Sequence, residues 1–143
     1  VYYCTGNEFL EGKEKTLASY RIKCLETTDF TKLNQEGVYL MDTEEDEYRL
    51  GRSCILIEDG LYKMYFCGGG EKVTYKLAYA ESTDGMNWIR LDDKLNIELS
   101  ETGWDSEMMA YPSVVRYNEK TYMFYNGNRF GYDGFGYAEL IDE

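Results

Sequence analysis

The chain repeats itself at an interval of about sixty residues, and that period dictates most of what it can fold into. Ser53, Tyr62 and Tyr65 line up with Ser113, Tyr122 and Tyr125 at a constant offset of 60. Each copy reads as an apolar strand, a short turn, and a Tyr-x-x-Tyr strand that ends in a Gly-containing segment. Those segments are Cys67-Gly68-Gly69-Gly70 and Asn126-Gly127-Asn128. A third strand follows in each, over Tyr75–Glu81 and Phe135–Glu139. A degenerate copy opens the chain: Tyr2–Asn7 mimics the Gly-containing strand end, and Tyr20–Asp29 echoes the third strand. Helical periodicity is nearly absent; its one candidate, Asp29–Gln35, is too short to stand alone. Three- or four-stranded antiparallel units repeated at this spacing are the signature of a β-propeller, with a two-sheet sandwich as the alternative. The expected architecture is an all-β, partial propeller with a degenerate blade over 1–47 and blades over 48–98 and 99–143. About two and a half blades cannot close a ring, and an open stack leaves strand edges bare. Completion by a second chain, as a homodimer, or by a missing N-terminal half is therefore expected.

Composition removes whole classes of chemistry. With 143 residues and no His, the chain is one domain that cannot build a Ser-His-Asp triad, a Cys-His pair or a His-ligated zinc site. A net charge of −12 opposes nucleic-acid phosphates and anionic membranes, so neither is an expected partner. The longest apolar run, Cys54–Ile57, is far too short to span a bilayer. The start, Val1-Tyr2-Tyr3-Cys4, resembles neither an initiator nor a signal peptide, as after trimming, removal of a tag or fragmentation. The four cysteines, Cys4, Cys24, Cys54 and Cys67, lack metal-like spacing and lie in strand-like stretches. Reduced core thiols and a cytoplasmic location are the expectation, although an even count also permits bridges. Most of the 15 tyrosines are expected in the core.

What remains open is carboxylate chemistry and recognition by hydrogen bonds and rings. Ser82-Thr83-Asp84-Gly85-Met86-Asn87-Trp88 reads as an architectural turn, with Asp84 accepting backbone N–H groups and Gly85 at positive φ. Asp42–Glu47 is an acidic loop without the Gly and bidentate Glu of a calcium site, and no metal or cofactor is expected there or elsewhere. Gly6, Gly69 and Gly127 mark strand ends where the backbone bends or a ligand comes close. Trp104-Asp105-Ser106-Glu107-Met108-Met109-Ala110-Tyr111 leads into the first strand of a blade, where a propeller presents its channel mouth. Glu107, beside Met108, Met109 and Tyr111, is expected to be partly desolvated and so raised toward a general acid; a solvated loop acid is the alternative. Arg49 and Arg52 enter the equivalent strand of the preceding blade. They could hold a carboxylate or phosphate of a substrate, or neutralise Asp105 or Glu107 structurally. Asn126 and Asn128 open a loop of amides, rings and glycines suited to a sugar, and equally to a long hairpin.

Ala80-Glu81-Ser82-Thr83-Asp84-Gly85-Met86-Asn87-Trp88, Tyr111-Pro112-Ser113-Val114-Val115 and Tyr122-Met123-Phe124-Tyr125-Asn126-Gly127-Asn128 resemble blades of the five-bladed β-propeller glycosidase superfamily. That group holds arabinanases, β-xylosidases, invertases and mannoside phosphorylases. The resemblance covers residues 48–140 well and 1–47 weakly, and it is nearest in style to an uncharacterised glycosidase-like branch, matching its C-terminal half. It implies a protein that hydrolyses or phosphorolyses a glycosidic bond between two carboxylates. Glu107 or Asp105 would be the acid, Arg49 and Arg52 would orient the sugar, and Trp104 or Tyr111 would stack on it. The departure lies in the second carboxylate. The superfamily's base or nucleophile is an Asp near the start of the first blade, and that half of the ring has no counterpart here. A non-catalytic carbohydrate-binding or interaction module is the other reading.

Overall fold

The structure, a computed structural model, describes residues 1–33 and 35–141. It is all-β. Three antiparallel units follow one another: β1 (Tyr2–Glu11), β2 (Thr16–Cys24) and β3 (Val38–Tyr39); β4 (Glu47–Glu58), β5 (Leu61–Gly70), β6 (Lys76–Ser82) and β7 (Ile89–Arg90); then β8 (Ala110–Tyr117), β9 (Lys120–Asn126) and β10 (Phe135–Glu139). The first two units meet edge to edge through a single parallel pair, Tyr20 opposite Arg49. The described part of the Asp29–Gln35 stretch forms only a turn around Phe30 and Thr31, and Asn34 lies outside the described residues.

The units stack face on face. Ile22, Cys24, Leu50, Met64, Phe66, Ala78 and Ala80 form one core. Leu77, Met109, Val114, Met123 and Tyr125 form a second, against which Cys54, Leu56 and Tyr65 pack. Adjacent residues of β5 thus face opposite cores, Met64 and Phe66 toward the first unit and Tyr65 toward the third. The middle sheet is covered on both faces, which is why β6 is buried almost throughout. The partial, propeller-like stack expected from the repeat is what forms.

The structural repeat is 59 residues, one shorter than the sequence identities indicate. Tight turns set the register: Asp59-Gly60 (φ 51° and 81°) closes β4 onto β5, and Asn118-Glu119 (φ 49° and 65°) closes β8 onto β9. Positive φ at both turn positions matches the strand twist, and Glu119 tolerates it without being glycine. Buried Met64 and Phe66 then correspond to buried Met123 and Tyr125, whereas Tyr62 corresponds to Thr121 and Tyr65 to Phe124. A one-residue slip reverses every side chain, so the matched Tyr-x-x-Tyr pairs face opposite ways. Most tyrosines are expected inside from the sequence, yet Tyr20, Tyr39, Tyr117, Tyr132 and Tyr137 are exposed. The four cysteines are free thiols, but only Cys24 and Cys67 are buried, and Cys4 is exposed.

The Ser82–Trp88 turn is the architectural element its residues suggest. Asp84 Oδ1 accepts the backbone N–H of Met86 and of Asn87, each at 2.8 Å, which holds its carboxyl below the usual range. The acidic loop is likewise committed to structure: Glu47 receives both terminal nitrogens of Arg90, at 2.7 and 2.8 Å.

Candidate functional site

Two β-bulges build the site. In β4, Gly51 pairs with Cys67 and Cys54 with Tyr65, leaving Arg52 and Ser53 opposite one residue. In β8, Ala110 pairs with Asn126 and Ser113 with Phe124, leaving Tyr111 and Pro112 opposite one residue. Arg52 and Tyr111 occupy the same position of the 59-residue repeat and share a backbone that side-chain-bearing residues avoid, with φ of 56° and 61°. Pro112, the only proline, falls where the ladder is already interrupted and no donor is lost. Bulges re-aim side chains and collect beside active sites. Here they turn two neighbouring strands' side chains toward one another: the Arg52 guanidinium lies 5.0 Å from the Tyr111 ring centre.

Around that pair the rings form a continuous surface. Tyr111 stacks on Phe130 (6.1 Å, 24°), and Tyr75 meets Tyr111 and Phe130 at 6.1 and 6.2 Å. Arg49 lies over Tyr75 at 4.4 Å and over Tyr48 at 4.9 Å, and its Nη2 donates to the Thr74 carbonyl at 2.9 Å. A side chain on Gly69 would collide with that carbonyl and crowd the Arg49 Nε, so this strand-end glycine admits the arginine. Burial lifts the Tyr111 hydroxyl's pKa, and the Arg52 and Arg49 charges draw it back. From Arg49 and Phe130 a groove of about 1050 Å³ runs along the β1–β2 hairpin past Lys13, Lys15 and Lys72.

The remaining expected site residues are mostly absorbed by the fold. Asn128 is buried; its Oδ1 accepts the N–H of Glu107 (2.8 Å) and Met108 (3.1 Å), and its Nδ2 donates to the Gly103 carbonyl (3.0 Å). It clamps the 103–108 loop instead of facing a ligand. Asp105 is buried too, its carboxylate accepting the Tyr125 hydroxyl at 3.1 Å. Burial first, then that bond, pushes the Tyr125 hydroxyl up to about 12. Trp104 stacks on Tyr125 (5.4 Å, 24°), with Gly127, Gly134 and Gly136 pressed against it. Gly127 reads in the sequence as a strand end, and each of the three leaves room for the indole. Asn126 donates to the Phe130 carbonyl at 3.2 Å and so shapes the Phe130 loop. Glu107 is exposed, contrary to the desolvation expected of it, and its carboxylate lies within electrostatic reach of Arg129. Neither Arg49 nor Arg52 pairs with Asp105 or Glu107 among the described residues. Sequence reasoning passed over Tyr48, Tyr75 and Arg21, and only the bulge geometry and the stacking of units gather them.

Asn128→Leu is expected to lower stability by about 3 kcal/mol, because it strands two backbone N–H groups and a carbonyl in a buried clamp. A urea midpoint unchanged from the parent would show that water serves the loop as well as the amide does.

No family model matches the chain. Two curated relatives from Mycobacterium tuberculosis do: Uncharacterized protein MT1551 (strain CDC 1551 / Oshkosh), 35% identical, and Uncharacterized protein Rv1502 (strain ATCC 25618 / H37Rv), 34% identical. Each match runs over 106 residues, 74% of this chain and 35% of the relative. The chain thus spans about a third of the length of the curated relatives it matches. Among solved structures, a thermostable family-43 glycoside hydrolase superposes with a TM-score of 0.69 at 13% identity, covering 99% of this chain and 50% of its own. Another glycoside hydrolase gives 0.62 at 15% identity, covering 99% and 41%. The fold is glycosidase-like.

Proposed function

We propose that this chain is part of a glycosidase-like, carbohydrate-active protein on a five-bladed propeller, with residues 1–47, 48–98 and 99–143 as its successive blades. In this reading Tyr111, with Phe130 and Tyr75 behind it, is the platform on which a sugar ring stacks. Arg52 and Arg49 orient the sugar, and Glu107 is the accessible acid. Asp105 and Asn128 support the loop that carries Glu107. Hydrolysis or phosphorolysis becomes possible once a second chain, or the remainder of a longer protein, supplies the other carboxylate across the channel. The paired bulge carries the reading: two successive units spend backbone strain at the same repeat position to bring a cation and a ring together.

The experiment is a glycan panel, scored for binding and for turnover with the parent and with Tyr111→Ala. Binding by the parent that falls about fivefold to thirtyfold in Tyr111→Ala is expected, since a stacked ring contributes on the order of 1–2 kcal/mol. Absence of binding to every glycan would overturn the carbohydrate reading. A second reading, a binding module without catalysis, rests on Glu107 being the one exposed acid of the two candidates. Sugar binding without turnover by the completed protein would select it.

A further inference from the structure

The chain has six arginines among 27 acidic residues, and they divide sharply. Arg90 pairs with Glu47 and Asp92, Arg116 with Glu58, and Arg129 with Asp133. Among the described residues, Arg21, Arg49 and Arg52 have no carboxylate partner. These three are the ones that converge on the aromatic rim. Arg21 Nη1 donates to the Tyr48 carbonyl at 3.1 Å, and Tyr20 beside it pairs in register with Arg49. Arg49 lies over Tyr48 and Tyr75, and Arg52 lies over Tyr111.

Three cations without carboxylate partners, two over rings of this rim and the third on the backbone of Tyr48, make a local positive field in a protein of net charge −12. Two details suggest a purpose beyond packing. The Arg49 Nε is the only buried side-chain nitrogen or oxygen without a hydrogen-bond partner among the described residues. Such groups in a settled structure usually await a ligand or a water. Arg52, for its part, is held exposed by a strained bulge when an unstrained residue would have served the ladder. A guanidinium over a ring can still donate its in-plane N–H groups to a planar or tetrahedral anion, and among the described residues Arg49 has committed only its Nη2, to the Thr74 carbonyl. The carboxylates of Glu11, Glu14, Asp46 and Glu71 line the same groove, interspersed with Lys13, Lys15 and Lys72. They offset those lysines, so the groove away from the arginines carries no surplus of positive charge.

Building on the carbohydrate reading, we propose that the bound sugar itself carries an anionic group, a carboxylate or a phosphate ester, gripped by Arg52 together with Arg49 and with Arg21 behind them. The ligand class narrows to acidic glycans and sugar phosphates. Tyr111 holds the ring of such a ligand while Arg52 reads its charge.

The test measures affinity by calorimetry for matched probes: glucuronate against glucose, galacturonate against galactose, the corresponding 6-phosphates, and inorganic phosphate alone. An acidic member binding about tenfold to a hundredfold more tightly than its neutral counterpart is expected, the value of one charge-assisted hydrogen bond or two. The preference should shrink as salt is raised. In Arg52→Gln the ratio of acidic to neutral affinity should fall to about one, whatever the change in overall affinity, and Arg52→Lys should restore part of it. Uronate or phosphate winning the comparison identifies the source of the anion. Equal affinity for acidic and neutral partners would overturn the proposal, as would a preference that survives Arg52→Gln. Inorganic phosphate binding as tightly as the acidic sugars would overturn it too, by placing the anion outside the sugar. Binding of no sugar at all would instead overturn the carbohydrate reading beneath it. The comparison of probes on the parent protein stands even if a variant fails to fold.

Discussion

Glu107→Gln is expected to abolish turnover while leaving sugar affinity within about twofold. The substitution keeps the size and polarity of the side chain and removes only its capacity to carry a proton or a charge. A positioned acid contributes about a hundredfold to ten-thousandfold, so on the proposed reading the loss should be unmistakable on any glycan that the parent turns over. Affinity should hold because the proposed contacts to the sugar come from Tyr111, Arg52 and Arg49. Asp105→Asn makes the contrast. Its carboxylate is inside the sheet against the Tyr125 hydroxyl, so that change should cost stability and leave the chemistry of the folded fraction intact. Turnover within tenfold of the parent in Glu107→Gln would place the acid elsewhere. Glu107 is exposed in this chain, so its carboxylate is open to a ligand.

How far the fold was legible follows from which signals were local. The hairpins announced themselves because Asp59-Gly60 carries its turn chemistry in two adjacent residues, and Asp84 with Gly85 does the same. The repeat was visible, but its register was not. Tyr62 and Tyr122 align by identity, whereas Met64 and Met123 align by burial, and only the turn geometry of Asn118-Glu119 decides between them. The site shows the same division. Arg49, Arg52 and Tyr111 could be singled out because a cation or a ring at the mouth of a strand is informative from one sequence. Tyr75 and Phe130 could not be assigned to them, since nothing within a strand tells which ring of the next unit it will meet. Trp104 and Asn128 were read as ligand contacts because an indole and an amide near an acidic loop suit a sugar equally well. Three glycines against the indole, and two N–H groups on the amide oxygen, are tertiary facts.

The same register shift predicts self-association. Leu56 and Tyr65 of the middle unit correspond to Val115 and Phe124 of the third, and in the middle unit they are packed beneath the third unit's core. On the third unit the equivalent face is open: Val115 is 42% exposed, Phe124 40%, Tyr137 63% and Tyr117 67%. Between them lies a hollow of about 410 Å³, also lined by Tyr122 and Arg116. An aromatic face of this kind on a sheet whose neighbour buries the same positions is built to receive another sheet. In a preparation of this 143-residue chain the available sheet is a second copy, and with the degenerate first unit counted as half, two copies supply the five of a closed ring. Sedimentation is therefore expected to give a dimer at twice 16.7 kDa. Phe124→Lys with Tyr137→Lys should return it to monomer with its β-sheet circular dichroism unchanged, because neither side chain supports the inner cores and two buried cations cannot be accommodated in the interface. The parent sedimenting as a monodisperse monomer would refute the dimer, and a double variant that still dimerises would move the interface to another face.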